Sequence, residues 1–279
     1  MRFVKMHGLG NDFILVERAD LTGEIDLEGL ALRLCNRHFG IGADGLIIVD
    51  RSDWADVKMR IYNADGSEAE MCGNGVRCFA KYVYEKGIVE KNPINVETLA
   101  GIVVLQLEME KERVTGVCVD MGEPRLDRRE IPMLGEAGPV IGEPLTVGKR
   151  QFSITAVSMG NPHCVIFTDN LEVEDLSELG KEIENHPLFP KKTNVEFAQI
   201  LNPREIVMKV WERGVGETLA CGTGACAVAV AANLNGLTER SVIVSLPGGK
   251  LNINWNERDN HVYMTGPAEK VFEGVYINE

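Results

Sequence analysis

Two cysteines in this chain stand directly before a glycine-rich turn and a run with helical spacing. Cys72 opens "CGNGVRCFAKYV" and Cys221 opens "CGTGACAVAVAA". A cysteine at the first turn of a helix meets unpaired backbone N–H groups and the positive end of the helix dipole, which favour thiolate over thiol. The same N–H groups can hold an anion, and the glycines let a ligand approach the backbone closely. One such place would suggest a nucleophile or a redox thiol. Two matched places suggest a carboxylate held between two helix ends, with a sulfur on either side of the neighbouring carbon. That pair suits inversion of a stereocentre: one thiolate removes the α-proton from one face while the opposing thiol delivers a proton to the other, and the roles exchange in the return reaction. The helix ends would stabilise the enediolate-like charge on the carboxylate oxygens.

The elements that must present these thiols recur in the sequence. Cys72 and Cys221 lie 149 residues apart, and at that spacing Gly73 meets Gly222, Gly75 meets Gly224, and "MRIYNADG" falls on "MKVWERGV", pairing Tyr62 with Trp211 and Asn63 with Glu212. "LGND" (9–12) resembles "MGNP" (159–162) at nearly the same offset. Three matches at one period indicate a duplicated unit. Alternating or β-rich runs bounded by Gly, Pro, Asn or Asp predict strands at "GLIIVDR", "VKMRIYN", "INVETLA" and "GIVVLQLEM", and again at "QFSITAVSM", "VEFAQIL", "EIVMKVWE" and "RSVIVSL". Helical spacing predicts helices over 27–39, 75–87 and 222–236. The last is apolar on nearly every side, as expected of a buried helix wrapped by sheet. The Pro/Gly-rich segment 122–144 is the expected crossing between halves.

Composition narrows the partners. The 279 residues, 44% hydrophobic and 25% charged, suffice for two ordinary domains. A formal charge of -13, with no Lys/Arg-rich run, argues against nucleic acid or an anionic membrane surface as a partner. The first residues read as a strand and turn rather than a signal peptide, and the longest apolar run, Ala225 to Ala232, is too short to span a bilayer. Seven cysteines without C-x-x-C spacing suit a reduced, cytoplasmic protein.

"KMHGLGNDF", "RHFGIGADG", "NADGSEAEMCGNGVRC", "MGNPHCV", "TNVEF" and "WERGVGETLACGTGAC" together resemble diaminopimelate epimerases. The resemblance implies an α+β fold of two pseudo-symmetric domains. Each would be a curled mixed or antiparallel sheet around a central helix, with the active site in the cleft between them. The domains would be 1–118, completed by a returning strand within 265–279, and 119–264. It implies a cytoplasmic homodimer of the lysine pathway that interconverts LL- and meso-diaminopimelate with no pyridoxal phosphate, metal or other cofactor. Carried over motif by motif, Cys72 and Cys221 are the acid/base pair. Gly73 with Asn74 and Gly222 with Thr223 hold the reacting carboxylate. Asn11, Asn63, Asn161, Asn194, Glu212 and Arg213 bind the substrate's other polar groups, and His163 and Glu212 tune the two thiols. Amides can pair with carboxylate or ammonium, and Arg213 can take a distal carboxylate bidentately. Many relatives carry Gln where Gly45 follows Asp44 here, so any side-chain contact from that point is missing.

The remaining cysteines (35, 78, 118, 164 and 226) are expected to be small buried residues, and His7, His38, His186 and His261 structural or exposed. "GIGADG" matches a nucleotide-loop pattern but runs into the strand-like "LIIVD", which argues against a dinucleotide site. Two alternatives remain. A proline or hydroxyproline racemase would use the same paired cysteines on a shorter ligand, whereas the asparagines with Arg213 suit a substrate polar at both ends. A zinc-binding or redox-sensing thiol protein is less favoured, because zinc wants Cys and His at short spacings.

Overall fold

The computed structural model describes residues 1–23, 25–172 and 176–277. The chain divides into two units, Met1–Val119 together with the segment from Thr265 on, and Asp120–Met264.

In the first unit β1 (Arg2–Gly8) and β2 (Asn11–Glu17) form a hairpin, followed by α1 (Leu27–Cys35), β3 (Gly45–Asp50), β4 (Val57–Asn63), the short β5 (Glu68–Ala69), α2 (Gly73–Glu85), β6 (Ile94–Thr98), β7 (Gly101–Glu110) and β8 (Arg113–Asp120). β2 runs parallel to β3, and β3 antiparallel to β4. β4 then takes β5 antiparallel and β6 parallel, and β6 and β7 form the next hairpin. The apolar stretches Phe13–Val16 and Leu46–Val49 are buried on both faces, as a sheet covered by helices requires. α2 packs on β1 to β4 and on β7, and its residues from Asn74 to Val83 are all buried. Gly75 permits this approach: a Cβ there would lie 3.0 Å from Ile61 Cδ1 and 3.3 Å from Ile47 Cδ1.

The second unit repeats the scheme with β9 (Val140–Val147), β10 (Arg150–Ser158), β11 (Pro162–Phe167), α3 (Leu176–Glu184), β12 (Asn194–Asn202), β13 (Glu205–Glu212), β14 (Gly216–Thr218), α4 (Gly222–Leu234), β15 (Ser241–Leu246) and β16 (Gly249–Trp255). β10–β11 is antiparallel, β11–β12 parallel, β12–β13 antiparallel, and β13 takes β14 antiparallel and β15 parallel. These are the directions of β1 to β6, one for one. α4 occupies the place of α2, has the same 13-residue length, and is buried from Gly224 through Ala232 against β10 to β13, β15 and β16. β17 (Val262–Gly266) carries the chain out of this unit, and β18 (Glu269–Val275) pairs antiparallel with β1. The returning strand expected within 265–279 is therefore β18; Asn278 and Glu279 lie outside the described residues.

Three expectations need correction. α1 ends at Cys35, four residues short of the predicted helix, because Asn36 Oδ1 accepts from His38 N and Phe39 N, each at 2.9 Å, and turns the chain. The segment 122–144 is no free crossing. Ile131, Met133 and Val140 belong to the second unit's core, and Arg125 bridges to Ser158. Helix α3 has no counterpart among the three predicted helices; it carries Gly180, where a Cβ would lie 2.6 Å from the Trp211 ring. Among the described residues no helix is long and apolar enough to cross a membrane, and no three His, Cys, Asp or Glu side chains are grouped to hold a metal ion.

Candidate active site

Cys72 is the N-cap of α2, and Cys221 the N-cap of α4. Both have extended backbones, with φ, ψ of -140°, 119° and -126°, 111°. The first intrahelical bonds run from Val76 N to Cys72 O at 2.9 Å and from Ala225 N to Cys221 O at 3.0 Å. Each sulfur thus sits where a helix presents N–H groups without intrahelical acceptors.

In the first unit the Cys72 thiol points to Asn11 Oδ1 at 3.8 Å, and Asn74 Nδ2 donates to the same oxygen at 3.2 Å. Asn11 is held from behind: its Nδ2 donates to Asp44 Oδ2 at 2.8 Å. Arg37 Nη2 then joins Asp44 Oδ1 at 2.7 Å to Asp12 Oδ1 at 2.8 Å, and Lys5 reaches Asp12 Oδ2 at 2.8 Å. Burial works to raise the Asp12 carboxyl, but hydrogen bonds from Arg37 and Lys5 outweigh it and hold it at about 2. Arg77, fully buried one turn into α2, donates from Nη1 to Gly73 O at 3.0 Å, from Nη2 to Asn74 Oδ1 at 2.9 Å and from Nε to Pro267 O at 3.2 Å. Asn63 ends β4, and its Nδ2 donates to Ser67 Oγ at 3.0 Å. Gly45 has no room for a side chain, since a Cβ would lie 2.9 Å from Tyr62 O and 3.2 Å from the Phe13 ring.

In the second unit Cys221 Sγ accepts from Gly224 N at 3.4 Å and lies 3.5 Å from Thr223 Oγ1. Asn161 Nδ2 donates to Thr223 Oγ1 at 3.3 Å, and Asn161 Oδ1 is 3.0 Å from His163 Nε2. His163 Nδ1 meets Glu196 Oε1 at 2.6 Å, with both side chains fully buried. Burial, then the charges of Glu212 and Glu196, push the Cys221 thiol well up, against the hydrogen bonds from Thr223 and Gly224. The expectation of thiolate character at both helix starts is therefore corrected at Cys221: desolvation and two carboxylates outweigh the helix end. Glu212 Oε1 accepts from Thr218 Oγ1 at 2.5 Å. Asn194 Nδ2 donates to Pro162 O at 2.8 Å, its Oδ1 accepts from Arg213 N at 2.9 Å, and the exposed Arg213 side chain donates to Lys191 O at 3.1 Å.

Around Cys72 the structure brings together Asn11, Gly73 and Asn74; around Cys221 it brings together Asn161, His163, Glu212, Gly222 and Thr223. Asn63 stands at the end of β4, as Glu212 and Arg213 stand at the end of β13 and just beyond it. Sequence motifs do not single out two residues that touch these sets, Glu196 and Arg77. Glu196 has a signal in strand periodicity: it lies two residues after Asn194 on β12 and so shares a face with it. Arg77 has the weaker signal of a charge inside an otherwise buried helix. Of the other cysteines, Cys35, Cys78, Cys164 and Cys226 are buried as expected, whereas Cys118 is half-buried.

The chain is similar to known proteins in sequence and in fold. The family model for diaminopimelate epimerase matches residues 3–126 and 155–271. The chain is 58% identical over 284 residues to the diaminopimelate epimerase of Desulfitobacterium hafniense, covering 100% of this chain and 99% of that one. It is 59% identical over 277 residues to that of Pelotomaculum thermopropionicum, covering 99% of each. Among solved structures, a PhzF-family phenazine biosynthesis protein of Bacillus anthracis superposes with a TM-score of 0.72 at 18% identity, covering 99% of both chains. A probable proline racemase of Agrobacterium radiobacter gives 0.71 at 14% identity, covering 100% of this chain and 93% of that one. Those two likenesses bear on the fold, which is the two-part, pseudo-symmetric epimerase fold. On the family-model match and the full-length identities, this chain belongs to the diaminopimelate epimerase family.

Proposed function

We propose that this protein interconverts LL- and meso-2,6-diaminopimelate, a step in lysine and cell-wall precursor synthesis, by proton transfer between two thiols. The observation that carries the reading is the pair of N-cap cysteines on two helices related by the internal repeat. Burial and neighbouring carboxylates hold the proton on Cys221, so Cys221 starts as the thiol and Cys72 is the base in that direction. The Cys72 thiolate takes the α-proton, and the electron pair of the broken C–H bond moves into the carboxylate as an enediolate. The N–H groups at Gly73, Asn74, Gly222 and Thr223 stabilise that charge, and the carbon takes the proton of Cys221 on its opposite face. Cys72 is then the thiol and Cys221 the thiolate, so the return reaction starts from the exchanged pair. No electron leaves or enters, so the step is balanced by the two sulfurs alone.

Asn11, Asn63, Asn161, Asn194, Glu212 and Arg213 are proposed to hold the substrate's remaining ammonium and carboxylate groups, with His163 and Glu212 adjusting the thiols. We place the enzyme in the cytoplasm and propose that it acts as a homodimer. The apolar side chains Val271, Phe272, Val275 and Ile277 exposed along and just after β18 support the latter. The test is incubation of the pure protein with a panel of amino acids in heavy water, following loss of the α-proton signal by NMR. Exchange confined to diaminopimelate is expected, with Cys72→Ala and Cys221→Ala each losing net epimerisation. Exchange into proline, or a parent-like rate in either variant, would overturn the reading.

A further inference from the structure

Glu196 stands outside the residues assigned above, and its setting is unusual for a carboxylate. The side chain is fully buried on β12; Oε1 bonds His163 Nδ1 at 2.6 Å, while Oε2 has no hydrogen-bond partner among the described residues. A buried carboxylate oxygen without a partner costs on the order of 1–3 kcal/mol, more if charged, so this position needs a reason. Its direction supplies one. A Cβ at Gly224 would lie 2.8 Å from Glu196 Oε1 and 3.3 Å from Cys221 Sγ, so the carboxylate and the sulfur flank the same methyl-sized gap. A second route joins them through hydrogen bonds: Glu196 to His163, then Asn161, then the Thr223 hydroxyl, then Cys221 Sγ, at 2.6, 3.0, 3.3 and 3.5 Å.

We propose that Glu196 is a positioning residue for Cys221: through His163 and Asn161 it aims the Thr223 hydroxyl at the sulfur, and across the gap at Gly224 its carboxylate keeps that sulfur protonated until substrate arrives. The proposal rests on the reading of Cys221 as one of two proton-transfer thiols. The other groups acting on Cys221 are Glu212 from β13, the Thr223 hydroxyl and Gly224 N–H of α4 itself, and His163 from β11, whose ring reaches the sulfur only through two intervening side chains. Direct loss of the Glu196 charge therefore dominates when that residue is neutralised. A charge across a methyl-sized gap, in a partly polarisable interior, shifts a thiol by about one to two pH units, which is tenfold or more in proton affinity.

The test needs no substrate, so its outcome is independent of which amino acid the enzyme turns over. Thiolate absorbance near the ultraviolet edge is followed against pH in Cys72→Ala protein, and the titration of Cys72→Ala/Cys221→Ala protein is subtracted to leave Cys221. Burial also pushes Cys35 and Cys78 up to about 12, and Cys164 higher, but these thiols are common to both proteins and cancel in the subtraction. Adding Glu196→Gln should lower the Cys221 midpoint by at least one unit, and Glu196→Asp, which keeps the charge but withdraws it, should give an intermediate value. A midpoint unchanged or raised by Glu196→Gln overturns the proposal. If that variant does not fold, Glu196→Asp decides: a Cys221 midpoint equal to that of the Cys72→Ala protein overturns the proposal, and a lower one supports it.

Discussion

Replacing Arg77 by Met should loosen the start of α2 far more than a typical helix substitution. The guanidinium is fully buried and supplies three acceptors, Gly73 O, Asn74 Oδ1 and Pro267 O, at 2.9–3.2 Å. Gly73 O keeps the helical bond from the residue-77 N–H, so two acceptors, Asn74 Oδ1 and Pro267 O, lose a donor, at about 1–3 kcal/mol each. Methionine matches the length and removes the buried charge together with its partners' donors, so part of that loss is recovered by avoiding the desolvation of a guanidinium. A net loss of about 2–4 kcal/mol remains. For a unit of this size, about 2–4 °C per kcal/mol translates it into a melting midpoint lowered by roughly 10 °C. Lysine supplies one point donor in place of a fork and should fall between. Circular dichroism melts measure the stability. Alkylation of Cys72 by iodoacetamide, located by peptide mapping, reports the local effect, because Asn74 loses the bond that orients it toward Asn11 and the thiol should react faster. An Arg77→Met protein melting within about 2 °C of the parent, as a surface substitution would, with Cys72 alkylated at the parent rate, would refute the account.

Gly180→Ala places a Cβ 2.6–2.8 Å from the Trp211 ring and should destabilise by about 1–3 kcal/mol, shifting tryptophan emission to longer wavelength as the Trp211 Nε1 bond to Glu184 Oε2 is lost; unchanged emission and midpoint would contradict the packing. Asp12 sets an acid response: its folded-state carboxyl is depressed to about 2, so its contribution is fully present above the unfolded value near 4 and is lost as pH falls through 2. Because Arg37 is half-exposed, that contribution is on the order of 1–2 kcal/mol. Urea titrations at pH 5 and pH 2.5 should show Asp12→Asn less sensitive to acid than the parent, and equal sensitivity would remove Asp12 from the explanation.

Much of the scaffold is legible in the sequence because it rests on local patterns. The internal repeat aligns Gly73 with Gly222, and α2 and α4 begin at those two residues. The strand runs alternate or are apolar throughout, and all eight predicted runs coincide with strands. What stays hidden depends on contacts remote in sequence. Gly180 looks like a helix breaker until the Trp211 ring, on another element, fills the space beside it. Glu196 reads as an ordinary charge in a strand until His163 and Gly224 are placed around it. Likewise the helix-end argument for a thiolate at Cys221 is correct as electrostatics, but burial and two carboxylates from neighbouring strands outweigh it, and none of these is visible from the local sequence.

The pairing of β18 with β1 has a consequence for how the molecule is made. Met1 and Tyr276 exchange backbone hydrogen bonds at 2.8 and 3.1 Å, and Arg77 near Cys72 is satisfied by Pro267. Residues of β1 therefore wait for residues of β18, far later in the chain. The second unit is contiguous in sequence, from Asp120 to Met264, and can complete its sheet without β18. The first unit cannot, so a nascent chain or a truncation ending before Pro267 leaves β1 with a bare edge and the Cys72 helix start without one of its anchors. Loss of the residues from Pro267 on should consequently disable the half-site built from the first unit's sequence while leaving the Cys221 half-site formed.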